Sequence, residues 1–406
     1  MPFIRMGALM ALGLMASPLY AESSVVITLS GVRDRIRSQN PDLAAARFRI
    51  QEALGRMNQS GRLANPELET AFEHNPSFRE GRLELGYSQR FPVTNRLRLE
   101  KEVSLTEMKA AEAEVRDVER RMARDAREMV VKILATRQRR DVLREQAATS
   151  LELASALAEM AAKGEGSPLD AGQAKLEASG LELEIRQLEI AEASLVGELK
   201  PCLGMRPGES LTVSGSLPEP TLPVAGSKPD PPDLEAARLE ALAARQGVTL
   251  EQSRRYEDVE GSLFAAAERI EDAPNGYENE AIIGLRFKVP LPFRNQNEGA
   301  IQEAEARQQR KAMESHALGR SIELQAQALL DEMREWSRMI GEINATLLPL
   351  ADEQSRLAEE AYNKAQGDIQ NVFRSREKRM QLRATQLDAL REFHLARIRY
   401  EATLGH

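Results

Sequence analysis

Two periods of apolar positions run through this chain. Over long stretches they recur every 3.5 residues; over a few short ones they alternate every second residue. Met333, Trp336, Ile340, Ile343, Leu347, Leu350, Gln354, Leu357 and Ala361 follow one another at spacings of three and four. Leu143, Gln146, Ser150, Leu153, Leu157 and Met160 repeat that spacing earlier in the chain. Such a period puts its members on one seam against a partner helix. Pro349 interrupts the later seam; without an amide proton it predicts a local kink.

The short runs read as strands. In 82–91, Leu83, Leu85, Tyr87 and Phe91 alternate with Glu84, Gly86, Ser88 and Arg90, with Gln89 the exception on the apolar side. In 280–289, Ala281, Ile283, Leu285, Phe287 and Val289 alternate with Glu280, Ile282, Gly284, Arg286 and Lys288. The runs before them, with Leu68, Thr70 and Phe72 in one and Leu263, Ala265 and Ala267 in the other, alternate less cleanly. About ten residues is the length of a tilted outer-membrane strand with one side to lipid and one to a wet lumen. A half-buried strand of a soluble sheet alternates in the same way. Four strands cannot close a barrel, and lipid tolerates no open edge, so membrane strands here would be pooled with those of other subunits.

The elements come in an order that repeats. Asn40-Pro41-Asp42-Leu43 recurs as Pro231-Pro232-Asp233-Leu234, Leu85-Gly86-Tyr87 as Ile283-Gly284-Leu285, and Lys163-Gly164-Glu165 as Gln366-Gly367-Asp368. Order is kept and only small insertions intervene, as an internal duplication requires. The first repeat, 22–200, holds a helix near 29–60, a strand pair within 67–91, a long helix over 95–163 and a helix over 168–200. Residues 201–229, rich in Pro, Gly and Ser, read as a linker at the equator of the molecule. The second repeat, 230–406, holds a helix, a strand pair within 259–289, a long helix over 295–366 and a helix over 369–404. At ~1.5 Å per residue each long helix is roughly 100 Å. A single chain of this size cannot wrap such rods in a closed core, so an oligomer is expected.

Composition agrees and excludes much else. Ala, Leu, Lys, Arg, Asp and Glu make up about 55 % of the 406 residues, a proportion typical of long helices, while aromatics are 4 %. One cysteine rules out a disulfide scaffold or a Cys-based metal finger. His74, His316, His394 and His406 are scattered without metal-ligand spacing, so no metal site is expected. A net charge of −8 argues against nucleic acid as a partner. No nucleophile–base pair, phosphate loop or paired-carboxylate site is legible, so neither catalysis nor a cofactor is expected. Arg5, the apolar run 6–16 and a break leading to Ala21 have the form of a signal peptide, 1–21.

At this point the chain resembles the TolC family of outer-membrane efflux proteins. The likeness lies in Asn40-Pro41-Asp42-Leu43, in Tyr87-Ser88-Gln89-Arg90-Phe91-Pro92, in Gly164-Glu165-Gly166-Ser167-Pro168-Leu169-Asp170, and most specifically in Gly284-Leu285-Arg286-Phe287-Lys288-Val289-Pro290-Leu291-Pro292-Phe293-Arg294-Asn295-Gln296. It covers about 28–404 and looks most like the CzcC-like cation-efflux branch. The resemblance implies a mostly α fold with a small transmembrane β part: a homotrimer, a 12-stranded β-barrel with four strands per chain, and a coiled-coil helical tunnel in the periplasm. It implies docking of the helical tips, Gly164, Glu165, Gly166, Ser167, Pro168 and Leu169 with Gly367, Asp368 and Ile369, onto a periplasmic adaptor that links to an inner-membrane RND pump. Asp170 and Asp368 become candidate pore-constriction acids. Leu83, Leu85, Tyr87, Phe91, Ile283, Leu285 and Phe287 become the face toward outer-membrane lipid.

The expected function is a passive outer-membrane duct for heavy-metal cations or drugs. The same architecture could serve type I protein secretion. An exported periplasmic coiled-coil protein of structural role is the reading from another class.

Overall fold

In the computed structural model, residues 24–223, 228–272, 274–364 and 366–406 are described; the expected signal peptide lies outside them. The helical periods become rods. Helix α3 runs over Arg96–Ala162 and returns along α4, Pro168–Cys202. Its expected seam is buried at Leu143, Gln146, Ser150 and Leu157, whereas Met160 near the turn is exposed. Among the described residues, no helix is long and apolar enough to cross a membrane.

The helix expected over 29–60 is broken in two, α1 at Val32–Gln39 and α2 at Pro41–Gln59. Pro41 forces the residue before it out of the helical region, and Asn40 takes φ −74° and ψ 121°. Its side chain uses the break: Oδ1 accepts from the Leu43 amide at 2.9 Å, and Nδ2 donates to the Cys202 carbonyl at 2.7 Å. Gly204, at φ +64°, lies so close that a Cβ would stand 2.2 Å from the Gln39 carbonyl oxygen. The Asn-Pro-Asp-Leu motif is thus a joint that fastens α2 to the end of α4. Asn40→Ala is expected to cost about 2 kcal/mol, because a cap and a second hydrogen bond are lost together. Urea denaturation of the detergent-solubilised protein, followed by circular dichroism, measures it.

Residues 201–229 are more than a linker. Strand β4, Ser210–Val213, pairs in parallel with β1, Ser24–Ile27. The segment is also fastened to the rods: Arg137 donates to the Val213 carbonyl, His394 to the Pro218 carbonyl, and Arg397 to the Thr221 hydroxyl. Two four-residue strands far apart in sequence carry no local signal, so they were not expected. Val32, Ile36, Leu43, Val130, Leu134, Leu199, Leu203, Val213 and Leu395 form the largest core around this belt.

Strands β2 (Glu67–His74), β3 (Gly81–Phe91), β5 (Val259–Asp272) and β6 (Gly276–Lys288) form one antiparallel sheet in the order β2-β3-β5-β6. Helix α5, Pro232–Ser253, precedes β5. After β6, the helix expected as one piece over 295–366 is interrupted. Helix α6 covers Glu298–Glu342, a π turn covers Ile343–Leu347, and α7 covers Leu348–Asn363. Pro349 has no amide to donate to the turn before it, so the expected kink takes this form.

The π turn also moves the seam. Met333, Ile340 and Ile343 are buried as expected. Beyond the turn the inward positions are Ala351, Ser355, Ala358 and Tyr362, each one residue later than the expected Leu350, Gln354, Leu357 and Ala361. A wider turn takes up one extra residue and rotates everything after it. Helix α8, Ile369–Leu404, closes the chain.

Candidate functional site

The sheet has two chemically different faces, set by strand alternation. Tyr87 lies opposite Leu68 on one side and Leu263 on the other, and Leu263 opposite Leu285. Leu85 lies between Thr70 and Ala265, and Ala265 opposite Ile283. The register therefore brings all the strand residues singled out in the sequence onto one face. Leu83, Leu85, Tyr87, Phe91, Ile283, Leu285 and Phe287 are each at least 49 % exposed. An apolar patch of this extent requires a covering. Among the described residues, the sheet edges, β2 and β6, have no further strand beside them.

The opposite face is polar. Glu84 takes ion pairs from Arg82 at 2.6 Å and Arg286 at 3.1 Å, and Arg90 pairs with Glu260 at 3.4 Å. Phe264 is the aromatic exception. Its register partners are Gly86 and Gly284, and a Cβ on Gly284 would stand 2.4 Å from its ring. The Arg286 guanidinium lies 4.8 Å from the ring centroid. The ring thus lies across a glycine beneath a cation.

At the far end of the rods the two turns stand side by side. Gly164, at φ +76°, ends α3: its amide donates to the Ala161 carbonyl at 3.1 Å and that of Glu165 to Met160 at 2.9 Å. This left-handed ending suits glycine. Pro168 opens α4 after Ser167. On the second turn, beyond Gly367, Asp368 accepts from the Gln370 amide at 3.2 Å and caps α8. Leu169 is exposed, but Ile369 is 1 % exposed and packs with Ala154, Leu157, Ala174 and Val372. Of the residues read as tip, Ile369 is therefore a core residue, because its helix face turns toward α3 and α4.

Burial, then the carboxylates of Asp170 and Asp368, push the Tyr362 phenol above its ordinary pKa. Tyr362 was missed in the sequence because the unshifted seam points to Ala361. Among the described residues, no three His, Cys, Asp or Glu side chains are grouped to hold a metal ion.

The rods are clamped at the belt. Arg120, buried, holds Asp117 Oδ1 and donates to the Ala402 carbonyl at 2.6 Å, with Asp233 at 3.4 Å. Glu401 takes Arg127 at 2.7 Å and Arg397 at 3.0 Å. Burial would raise its carboxyl pKa, but the two guanidiniums outweigh it and hold it below the usual range. Nearby, Nε2 of His394 donates to the Pro218 carbonyl at 2.8 Å. Burial depresses this imidazole's pKa, against the pull of that hydrogen bond. The unfolded chain then binds the proton more readily, so stability is expected to fall as pH drops below about 6.5. Denaturation midpoints at neutral and mildly acidic pH measure the slope, and His394→Gln is expected to reduce it.

Rods carrying a small sheet with an apolar outer face define a class. The chain matches the crystallised channel CusC with a TM-score of 0.77 at 15 % identity, over 93 % of this chain and 92 % of that one. It matches the outer membrane protein VceC of Vibrio cholerae with a TM-score of 0.72 at 19 % identity, over 93 % and 96 %. The outer-membrane channel OprN gives 0.76 at 16 %, over 93 % and 89 %. The fold is that of the outer-membrane factor channels. No family model matches the chain. In sequence it is 25 % identical over 391 residues to the cobalt-zinc-cadmium resistance protein CzcC of Cupriavidus metallidurans, across 95 % of this chain and 88 % of that one. The chain thus shares the fold of these channels and is similar to CzcC in sequence along nearly its whole length.

Proposed function

We propose that this chain is the outer-membrane duct of a tripartite efflux system, and that it carries heavy-metal cations. The observation that carries the reading is the sheet: an apolar outer face and two unpaired edges, raised on rods about 100 Å long. Three copies pool four strands each into a closed 12-stranded barrel in the outer membrane, which removes the open edges. Their helices enclose a periplasmic tunnel. The exposed tip residues, Gly164 to Leu169 with Gly367 and Asp368, meet a periplasmic adaptor, and through it an inner-membrane RND pump. Asp170 and Asp368, near the two turns, narrow the pore in three-fold rings. The common order of strands and helices in the two halves supports an internal duplication.

The substrate class follows from the likeness to CzcC. The duct catalyses nothing in this reading and holds its cargo weakly, since conduction requires release. No observation favours the protein-secretion or structural readings. Deleting the gene tests the proposal: tolerance to at least one divalent metal is expected to fall, and re-expression to restore it. Unchanged growth across a metal panel and a drug panel would remove the efflux reading.

A further inference from the structure

We propose that the outer rim of the sheet carries a notch at Gly81, between Arg269 and His74, that binds the phosphate headgroup of an outer-leaflet glycolipid. The inference rests on the lipid-facing reading of the apolar face and names the lipid chemistry that its rim selects.

Charge is distributed unequally between the two faces. On the polar face Arg82, Arg90 and Arg286 each pair with a glutamate. Arg269 lies on the apolar face, where it continues the alternation of Leu263, Ala265 and Ala267 along β5. It is exposed and has no ion pair among the described residues; its guanidinium lies over the Tyr277 ring, 4.4 Å from the centroid. On a lipid-facing surface an unpaired cation is costly at the midplane and tolerated only near the headgroups.

Height places Arg269 at that level. On β3 the apolar positions run from Phe91 to Leu83, about 27 Å along the strand, or roughly 20 Å of membrane height at a tilt of ~40°. The next row of this face, at the end away from the rods, is His74, Gly81, Arg269 and Asn279. The exposed rings of Phe72, Phe78 and Tyr277 gather there, as aromatic side chains do at a membrane interface. Strand β5 lies inside the sheet, between β3 and β6, so a copy joined at either edge does not cover Arg269.

The row has a gap. Gly81 stands without a side chain between His74 and Arg269, whose strands are about 10 Å apart, and a phosphate fits between them with a donor on each side. His74 is held in place. Its ring stacks on Phe78 at 3.9 Å, and its Nδ1 donates to the Asn75 carbonyl at 2.9 Å, which leaves Nε2 for a ligand. Phe78 takes φ +53°, an unfavourable backbone for so bulky a residue. Asn75 Oδ1 sustains it by accepting from the Arg79 amide and the Ser77 hydroxyl, each at 3.0 Å. Strain of this kind persists where the surroundings over-determine it, often at a ligand clamp. The nearby acids leave the notch open. The Glu80 carboxylate accepts from the Asn75 side chain and the Glu271 amide, and Glu271 itself lies one row farther out, opposite Tyr277.

Native mass spectrometry of the detergent-solubilised protein tests the notch, with lipid A and a phosphate-free lipid A of the same acyl chains as probes. The parent is expected to bind lipid A about tenfold more tightly than the phosphate-free form. Arg269→Gln is expected to lose that preference and still bind the phosphate-free lipid, which shows its apolar face intact. Lys288→Gln, on the polar face, is expected to keep the preference. Equal binding of the two lipids by the parent, or a preference retained in Arg269→Gln, overturns the phosphate notch and leaves the lipid face standing. Displacement of lipid A by inorganic phosphate at equal concentration marks a site for the free ion and overturns the lipid as its occupant. A parent that binds neither lipid overturns both the notch and the lipid-facing reading beneath it.

Discussion

An arginine in place of Leu85 is expected to abolish assembly in the outer membrane. Leu85 lies in the middle of β3, flanked by Thr70 and Ala265, and is half exposed on the apolar face. If that face meets lipid, a cation there costs about 2–4 kcal/mol near the midplane. If it met water, the same exposed substitution would stay within about 0.5 kcal/mol. The two environments therefore differ by more than the uncertainty of either figure. The measurement is the fraction of chain recovered as a heat-resistant oligomer from outer-membrane extracts. Lys288→Gln, on the polar face of β6, is expected to leave that fraction unchanged. Recovery of Leu85→Arg at the parental level would remove the lipid assignment of the whole face, since the register ties its members together.

Arg120→Met is expected to cost about 3 kcal/mol, the lower end of the range for breaking a buried pair. Arg120 and Asp117 are both buried at the belt, and Arg120 also donates to the Ala402 carbonyl in the last turn of α8. Loss of the guanidinium strands a buried carboxylate, while the Ala402 carbonyl keeps the Gly405 amide at 3.0 Å. Arg121 remains 2.9 Å from Asp117 and limits the damage. The double variant Arg120→Met with Asp117→Leu is expected to recover most of the loss, because no unpaired buried charge remains and the partners left behind, Asp233 and Arg121, reach solvent. Urea denaturation of the detergent-solubilised protein measures both. A double variant no more stable than the single one would show that packing, and not the stranded charge, sets the cost.

Some of this molecule was legible in local patterns. The long helix α3, Arg96–Ala162, was expected over 95–163, and the 3.5-residue period marked its seam from Leu143 onward, because a helix packed along its length repeats its inward positions at that period. Strict alternation identified the apolar strand faces, because successive side chains of any strand point to opposite sides. The glycine of the first turn was equally local, since φ +76° at Gly164 suits few other residues.

Other features were hidden for stated reasons. Proline at 349 signalled an irregularity, but not that it would take up one extra residue and move the seam from Leu357 to Ala358. Asn40-Pro41 looked like part of one helix, yet its role lies in a bond to Cys202 across the fold. Ile369 read as tip surface until the second turn was seen against α3 and α4.

By itself, then, the sequence determined the rods, the two-faced strands and the turns, because each follows from periodicity along the backbone. The tertiary structure decided which face of each rod meets its own chain and which is left for another. It also paired β1 with β4 and turned Ile369 inward. Those outcomes depend on contacts between residues far apart in the chain, and the extra residue taken up before α7 is enough to change which of its faces turns inward.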